Sequence, residues 1–304
     1  MRQTFSDALV RIADADPRVL LLTGDHGYAL FDAFRAAHPD RYINAGIAEQ
    51  NMVGMAAGLA RMGFHPFVYG LSAFVPVRVL EQIKLDVAHD DLPVIFVGDG
   101  AGFVYSHLGT SHQSLEDIAC IRPVPGMMVL SPADRHELAA AMEHAHAARR
   151  SVYLRMGKAD RGDVHAGDVA INMARLQCLK SGREGGTAIL ATGPIATTAI
   201  AVAERIDGVA VWSVPSIKPF DVASLTQICR SSARLVTMEE HVIAGGLGSL
   251  IAEEVSAIHP LPILRIGVRD RFSEHCGTYD YLLREHGLDF ETVLAQVAAY
   301  DARQ

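Results

Sequence analysis

Apolar residues fall in short unbroken runs, separated by longer stretches that alternate apolar and polar with helical spacing. Val19-Leu-Leu-Leu-Thr23, His65-Pro-Phe-Val-Tyr69, Pro93-Val-Ile-Phe-Val-Gly98, Met127-Met-Val-Leu130 and Ser151-Val-Tyr-Leu-Arg155 read as strands, with Tyr42-Ile-Asn44 as a shorter one. Between them the pattern predicts helices over about 4–14 and 30–37, one opening at Glu49, and others over 74–88 and 135–147. Strands that are apolar throughout, rather than at every second residue, are buried on both faces. The intervening helices supply the crossovers that parallel neighbours require.

From Gly157 to Gly186 the pattern weakens: Asp160-Arg-Gly-Asp, His165-Ala-Gly-Asp and Arg183-Glu-Gly-Gly are loop-like. The alternation then restarts. Thr187-Ala-Ile-Leu-Ala191, Val209-Ala-Val-Trp212, Leu235-Val-Thr237 and Pro262-Ile-Leu-Arg-Ile266 read as strands, separated by helices over about 195–205, 222–230, 246–258 and 279–285. The expected fold is α/β: two parallel-sheet, three-layer domains, at 1–160 and 187–304, joined by a linker at 161–186.

Composition narrows the function without naming it. The 304 residues are half apolar and one-fifth charged, with a net charge of −8 and no basic block, which argues against nucleic acid as a partner. No apolar run approaches the roughly 18 residues of a membrane span, and Met-Arg-Gln-Thr-Phe-Ser-Asp is not a secretory leader. Cys120, Cys178, Cys229 and Cys276 are far apart and form no CxxC pair. They read as free thiols of a cytoplasmic protein rather than disulfides or metal ligands.

Candidate chemistry is concentrated in Arg41-Tyr-Ile-Asn-Ala-Gly-Ile-Ala-Glu-Gln-Asn-Met-Val-Gly-Met-Ala-Ala-Gly-Leu-Ala60. Glu49 sits in the first turn of a helix, where the helix dipole favours a carboxylate. Gly54, Ala56, Ala57 and Gly58 leave that helix little side-chain bulk, so close packing against it is expected. On residues alone, Glu49 is either an ordinary helix-start acid or a functional carboxylate. The whole string resembles the GIAEQ-type segment of the transketolase and deoxyxylulose-phosphate synthase families, which use thiamine diphosphate. The resemblance implies that Glu49 bonds the cofactor's pyrimidine ring and so helps generate its carbanion.

The resemblance runs from Arg2 to about Asp289 and covers the last two of a transketolase's three domains, the pyrimidine-binding and C-terminal ones. Tyr69-Gly-Leu-Ser-Ala-Phe-Val-Pro-Val-Arg-Val-Leu-Glu-Gln82 is similar to the family segment whose aromatic stacks on the aminopyrimidine. Phe74 matches that aromatic, Leu71 stands where a second is common, and Ile47 and Arg78 complete the implied cofactor wall. Ser106-His-Leu-Gly-Thr-Ser-His-Gln-Ser-Leu-Glu-Asp117 resembles the GEDGPTHQ-type loop. His112 matches the histidine that faces cofactor and donor. His107 and Leu108 replace the family's acidic pair, and Gly100 replaces a histidine that helps hold the substrate phosphate. Arg2 and Arg155 match substrate-phosphate arginines. Leucine cannot pair a sugar hydroxyl, so a non-standard acceptor is expected.

Gly98-Asp-Gly100 opens like the diphosphate motif of this cofactor class, but the closing Asn is missing: none occurs between Ala101 and Ile171. It reads as a strand-end turn, and no metal ligands are assigned. The Mg²⁺ and diphosphate site is expected on a separate N-terminal transketolase-like subunit, in an α2β2 assembly. Met238-Glu-Glu-His-Val-Ile-Ala-Gly-Gly-Leu-Gly-Ser249, which resembles the family's EEH…GGLG string, and the segment 267–278 are expected to pack rather than bind. The resemblance thus implies a split transketolase-like subunit that moves a two-carbon ketol unit. The rivals are a deoxyxylulose-phosphate-synthase-like enzyme, a 2-oxo acid dehydrogenase β subunit, and a non-catalytic partner-binding subunit.

Overall fold

The computed structural model describes residues 1–158, 160–167 and 169–302. Asp168, in the loop-like string His165-Ala-Gly-Asp, and the last two residues of the domain expected at 187–304 lie outside the described residues. Two sheets organise the chain. The first contains β1 (Val19–Thr23), β2 (Tyr42–Asn44), β3 (His65–Leu71), β4 (Ile95–Asp99), β5 (Met128–Leu130) and β6 (Val152–Met156). The second contains β7 (Gln177–Lys180), β8 (Gly186–Thr192), β9 (Ala210–Ser213), β11 (Ser232–Val242) and β12 (Ile263–Val268), while β10 (Ser216–Lys218) leaves it to join the first.

The strand orders are β10-β5-β6-β4-β3-β1-β2 and β12-β11-β8-β9-β7. All neighbours are parallel except β10 against β5 and β7 against β9. Both sheets are therefore mixed rather than purely parallel, each with one antiparallel edge strand. Neither edge strand was predicted: each is three or four residues long and pairs with a partner distant in sequence, so local pattern carries no trace of it.

Side-chain alternation along the central strands divides the first core into two layers. Leu20, Leu22, Val68 and Phe96 face one side, packed by Met52, Val53 and Ala56 of the helix Glu49–Arg61 and by Val79, Ile83 and Val87. Val19, Leu21, Phe67, Tyr69, Ile95 and Val97 face the other, packed by Phe5 and Leu9 of the helix Arg2–Ala15 and by Leu138 and Met142 of the helix Arg135–Ala148. Fully burying one such side chain is worth about 1.5–3 kcal/mol, and continuous apolar strands bury every residue. The first layer continues into the second half through Leu190, Val214, Ile217 and Leu225, so one core spans both sheets.

Helix positions follow the expected pattern except at three places, one of them the short helix Asp117–Ile121, which was not expected. The helix expected over 74–88 begins later: 72–76 form a turn, followed by a 3₁₀ turn at Val77–Val79 and a π-helical segment at Ile83–Ala88. A helix at Phe290–Asp301 was not predicted; Val293, Val297 and Tyr300 bury one of its faces.

Candidate functional site

The central strands are parallel, and their carboxyl ends meet at one edge of the sheet. Thr23 of β1 is level with Tyr69 of β3, and Leu71 of β3 with Asp99 of β4. In open α/β sheets, ligands bind beyond such carboxyl ends. Four loops leave this edge, and they carry His26, Glu49, Phe74 and His112.

Glu49 is positioned by the exit from β2. The Ala45 N–H donates to the Thr23 carbonyl at 2.8 Å, and the Gly46 N–H to Asn44 Oδ1 at 2.9 Å. Gly46 then turns the chain with φ +71°, a region that favours glycine. The helix starts at Glu49, which is only 6% exposed. Its Oε2 lies 3.1 Å from Arg78 Nη1. The close packing expected against Gly54 and Gly58 is not met within this chain: a Cβ at either would have no neighbour within 4 Å.

Phe74 is held by the turn after β3, where the Phe74 and Val75 N–H groups both donate to the Leu71 carbonyl at 2.8 Å. The Arg78 N–H donates to the Phe74 carbonyl at 3.0 Å, which places Arg78 one turn further on the same face. Its Cζ stands 3.9 Å from the Phe74 ring centroid. His112 approaches the same ring from the next loop, with centroids 5.3 Å apart and planes at 66°. Paired Gly102 and Ser114 backbone hydrogen bonds close that loop, and Ser111 Oγ lies 3.0 Å from His112 Nδ1. Glu49, Arg78, Phe74 and His112 therefore form one connected group. Leu71 is half-buried behind it, while Ile47, His107 and Leu108 are exposed on the same loops.

Two neighbours escaped the sequence reading. His26 packs against Tyr69, with centroids 5.7 Å apart. Burial holds its pKa below the ordinary value, against the opposing charges of Glu49 and Asp99. Its signal was available: Thr23-Gly-Asp-His-Gly follows directly on a buried strand. The other is Tyr105, whose hydroxyl donates to the buried Asp99 at 2.8 Å; burial, then Asp99, push its pKa up. Arg2 Nη2 reaches Asp99 at 3.2 Å from the exposed side. Gly100 has φ +78°, and a Cβ there would run into the Tyr105 ring. Tyr105 thus fills the space that a side chain at position 100 would take.

Arg155 is not part of this group. It is 2% exposed, pairs with the buried Asp117 at 2.7 Å, and donates to the Glu240 carbonyl at 2.9 Å. Its Nε and Nη2, expected to meet substrate, face protein groups in this structure, and the side chain joins the two halves of the chain. In the EEH…GGLG string the backbone amides that could face an anion are likewise taken. Leu247 and Gly248 N–H groups donate to Glu239 at 2.7 and 2.8 Å.

A cavity of about 830 Å³ lies behind the loop, lined by Thr110 and Gln113 on one side and Arg265, Arg269 and Phe272 on the other. It does not include Glu49, Phe74 or His112 among its lining residues. Among the described residues, the one His/Cys/Asp/Glu cluster tight enough for a metal ion is Asp16, His65 and His146. Arg18 and Arg149 already donate to Asp16, and Arg149 Nη1 lies 2.8 Å from His65 Nδ1, so cations fill that site.

A buried carboxylate beside an aromatic ring that already carries a flat guanidinium suits a flat heterocycle with a ring nitrogen to bond.

Comparison with known proteins follows the same division. Residues 1–162 match the transketolase pyrimidine-binding domain model, and residues 179–293 match the transketolase C-terminal domain model. The chain is 34% identical over 299 residues to the 6-deoxy-6-sulfo-D-fructose transketolase subunit SqwH of Clostridium sp. (strain MSTE9), covering 97% of this chain and 92% of that protein. It is 32% identical over 298 residues to an apulose-4-phosphate transketolase subunit of Phocaeicola vulgatus, covering 96% and 94%. Against the 1-deoxy-D-xylulose-5-phosphate synthase of Methylacidiphilum infernorum it is 33% identical, covering 97% of this chain but only 47% of that protein. A solved structure described as a split gene transketolase, inactive beta4 tetramer, superposes with a TM-score of 0.90 at 33% identity over 99% of both chains.

Proposed function

The chain belongs to the transketolase family, and from that membership we propose that it is the β subunit of a split transketolase that transfers a two-carbon ketol unit to a non-standard acceptor. The observation that carries the reading is the meeting of Glu49, Phe74 and His112, separated in sequence, at one sheet edge. Thiamine diphosphate, when bound, supplies a carbanion at its thiazolium carbon. Glu49 would hold the ring nitrogen of the pyrimidine through its carboxylate. Phe74 would stack on the ring, with Leu71 and Ile47 as aliphatic wall. His112 would face the donor and can hold or pass a proton near neutral pH.

The diphosphate and Mg²⁺ are assigned to a separate N-terminal subunit in an α2β2 assembly. Tyr28, Ile47 and Leu108 support a covering partner, because they are large apolar side chains left exposed on the loops at this edge. Free thiols among the described cysteines fit a cytoplasmic setting, and among the described residues no helix is long and apolar enough to cross a membrane.

The two split-enzyme relatives act, by their names, on a sulfonated sugar and on apulose 4-phosphate. We assign to this chain a ketose bearing a terminal anion, met by the exposed Arg2. Leu108 and Tyr105 would shape an acceptor pocket with fewer hydroxyl partners.

The test is turnover by the assembled complex with Mg²⁺ and thiamine diphosphate, offered ketose phosphates, sulfonated ketoses and pyruvate as donors with a panel of aldehyde acceptors. Ketose consumption, lost by at least about a hundredfold in Glu49→Gln, is expected. Consumption of pyruvate alone would replace this reading with a synthase.

A further inference from the structure

Arg78 makes two contacts at once, and they are the two contacts assigned above to the cofactor's aminopyrimidine. Its Nη1 lies 3.1 Å from Glu49 Oε2, and its Cζ stands 3.9 Å over the Phe74 ring. A guanidinium is flat and delocalised, with N–H donors in its plane, so it can stack and bond a carboxylate together. We infer that Arg78 is a built-in stand-in for the cofactor ring: in the chain without cofactor it closes the pyrimidine site, and it swings off Phe74 and Glu49 when the ring enters. The inference rests on the assignment of Glu49 and Phe74 to the pyrimidine.

Physical chemistry favours such a stand-in. Glu49 is buried, and a buried carboxylate with no partner is costly. Arg78 supplies that partner, yet its side chain is 40% exposed, so it can move out into water at small cost. Its backbone N–H stays bonded to the Phe74 carbonyl, so rotation about its own side-chain bonds is enough. His112 packs against the same ring but cannot replace the flat cation over its face. The site thus alternates between two satisfied states, Arg78 on Glu49 and the cofactor ring on Glu49. The apparent affinity for the ring is reduced by the fraction of chains in which Arg78 is closed.

The full-length chain is titrated with 4-amino-5-hydroxymethyl-2-methylpyrimidine, which carries the ring without the diphosphate. Binding is read by calorimetry, and the order of the Arg78 side chain by ¹⁵N relaxation at Nε. The Arg78 signal is expected to be rigid before addition and mobile after it. Arg78→Ala is expected to bind about tenfold more tightly, the combined weight of an ordinary cation–π contact and a partly exposed ion pair. Arg78→Lys, which keeps charge but not the plane, should fall between and guards against a folding defect in the alanine variant. Equal or weaker binding by Arg78→Ala, with loss in Glu49→Gln, would overturn the stand-in and leave the pyrimidine site intact. Unchanged binding in Glu49→Gln and Phe74→Ala, or no heat from any variant, would overturn both.

Discussion

Phe74 is the residue on which the candidate site turns, because Arg78 lies over its face and His112 against its ring. Phe74→Ala in the assembled complex is expected to weaken thiamine diphosphate binding about tenfold, from lost stacking and buried area. Phe74→Leu should recover the area but not the stacking, and calorimetric Kd values rank the three proteins. An unchanged Kd in Phe74→Ala would remove the ring from the cofactor. Glu49, Phe74 and His112 could be read in the sequence because each lies in a long string with a recognisable pattern. Tyr105 could not: its contact with Asp99 and its occupation of the space at Gly100 depend on how a loop folds back. Arg155 shows what such a string leaves out. Its string matches the family's, but the pattern does not reveal that Asp117, 38 positions earlier, claims the guanidinium.

At the scale of elements, the end of β4 and the loop after it act as one unit. A side chain at Gly98 would strike Tyr153, and one at Gly100 would strike Tyr105; Gly98 and Asp99 end β4, and the expected turn begins only at Gly100. Gly100→Ala is expected to destabilise by about 1–3 kcal/mol, combining positive φ with the collision. In Tyr105→Ala the same substitution should cost less, leaving a coupling of about 0.5 kcal/mol or more in a urea double-mutant cycle. Strict additivity would mean that the loop moves aside. The parallel strands were legible because buried parallel strands are continuously apolar, whereas the antiparallel edge strands β7 and β10 were not. The late helix start after Phe74 was not, since a turn and a helix of the same apolar residues share one pattern until backbone bonds are seen.

The whole molecule is joined by burial and charge as well as by chain. β10 crosses to the first sheet, and Arg155, Asp117 and the Glu240 carbonyl meet in the interior. Arg155→Met, which strands Asp117, is expected to cost about 3–5 kcal/mol in urea unfolding, and a second change of Asp117→Asn should return part of it. Glu239 gives the pH dependence. Burial pushes its pKa up to about 7 although two amides favour the charged form. A raised carboxyl pKa means that the folded chain holds the proton longer than the unfolded chain. This contribution is fully present below the unfolded value near 4.5 and is lost as pH rises through 7. The cost of Glu239→Gln should therefore shrink between pH 5 and 7.5, at up to about 1.4 kcal/mol per pH unit. A cost independent of pH would mean that Glu239 is ionised throughout.

The central claim is that this chain supplies the pyrimidine half of a cofactor site completed by another subunit. The most direct measurement is a calorimetric titration of thiamine diphosphate with Mg²⁺ into this chain alone, into its N-terminal partner alone, and into their mixture. The account expects weak binding by this chain, weak or no binding by the partner and tight binding, one cofactor per pair, by the mixture, weakened when Glu49→Gln replaces the native chain. Tight binding by the partner alone, unaffected by adding this chain or by Glu49→Gln, would contradict it.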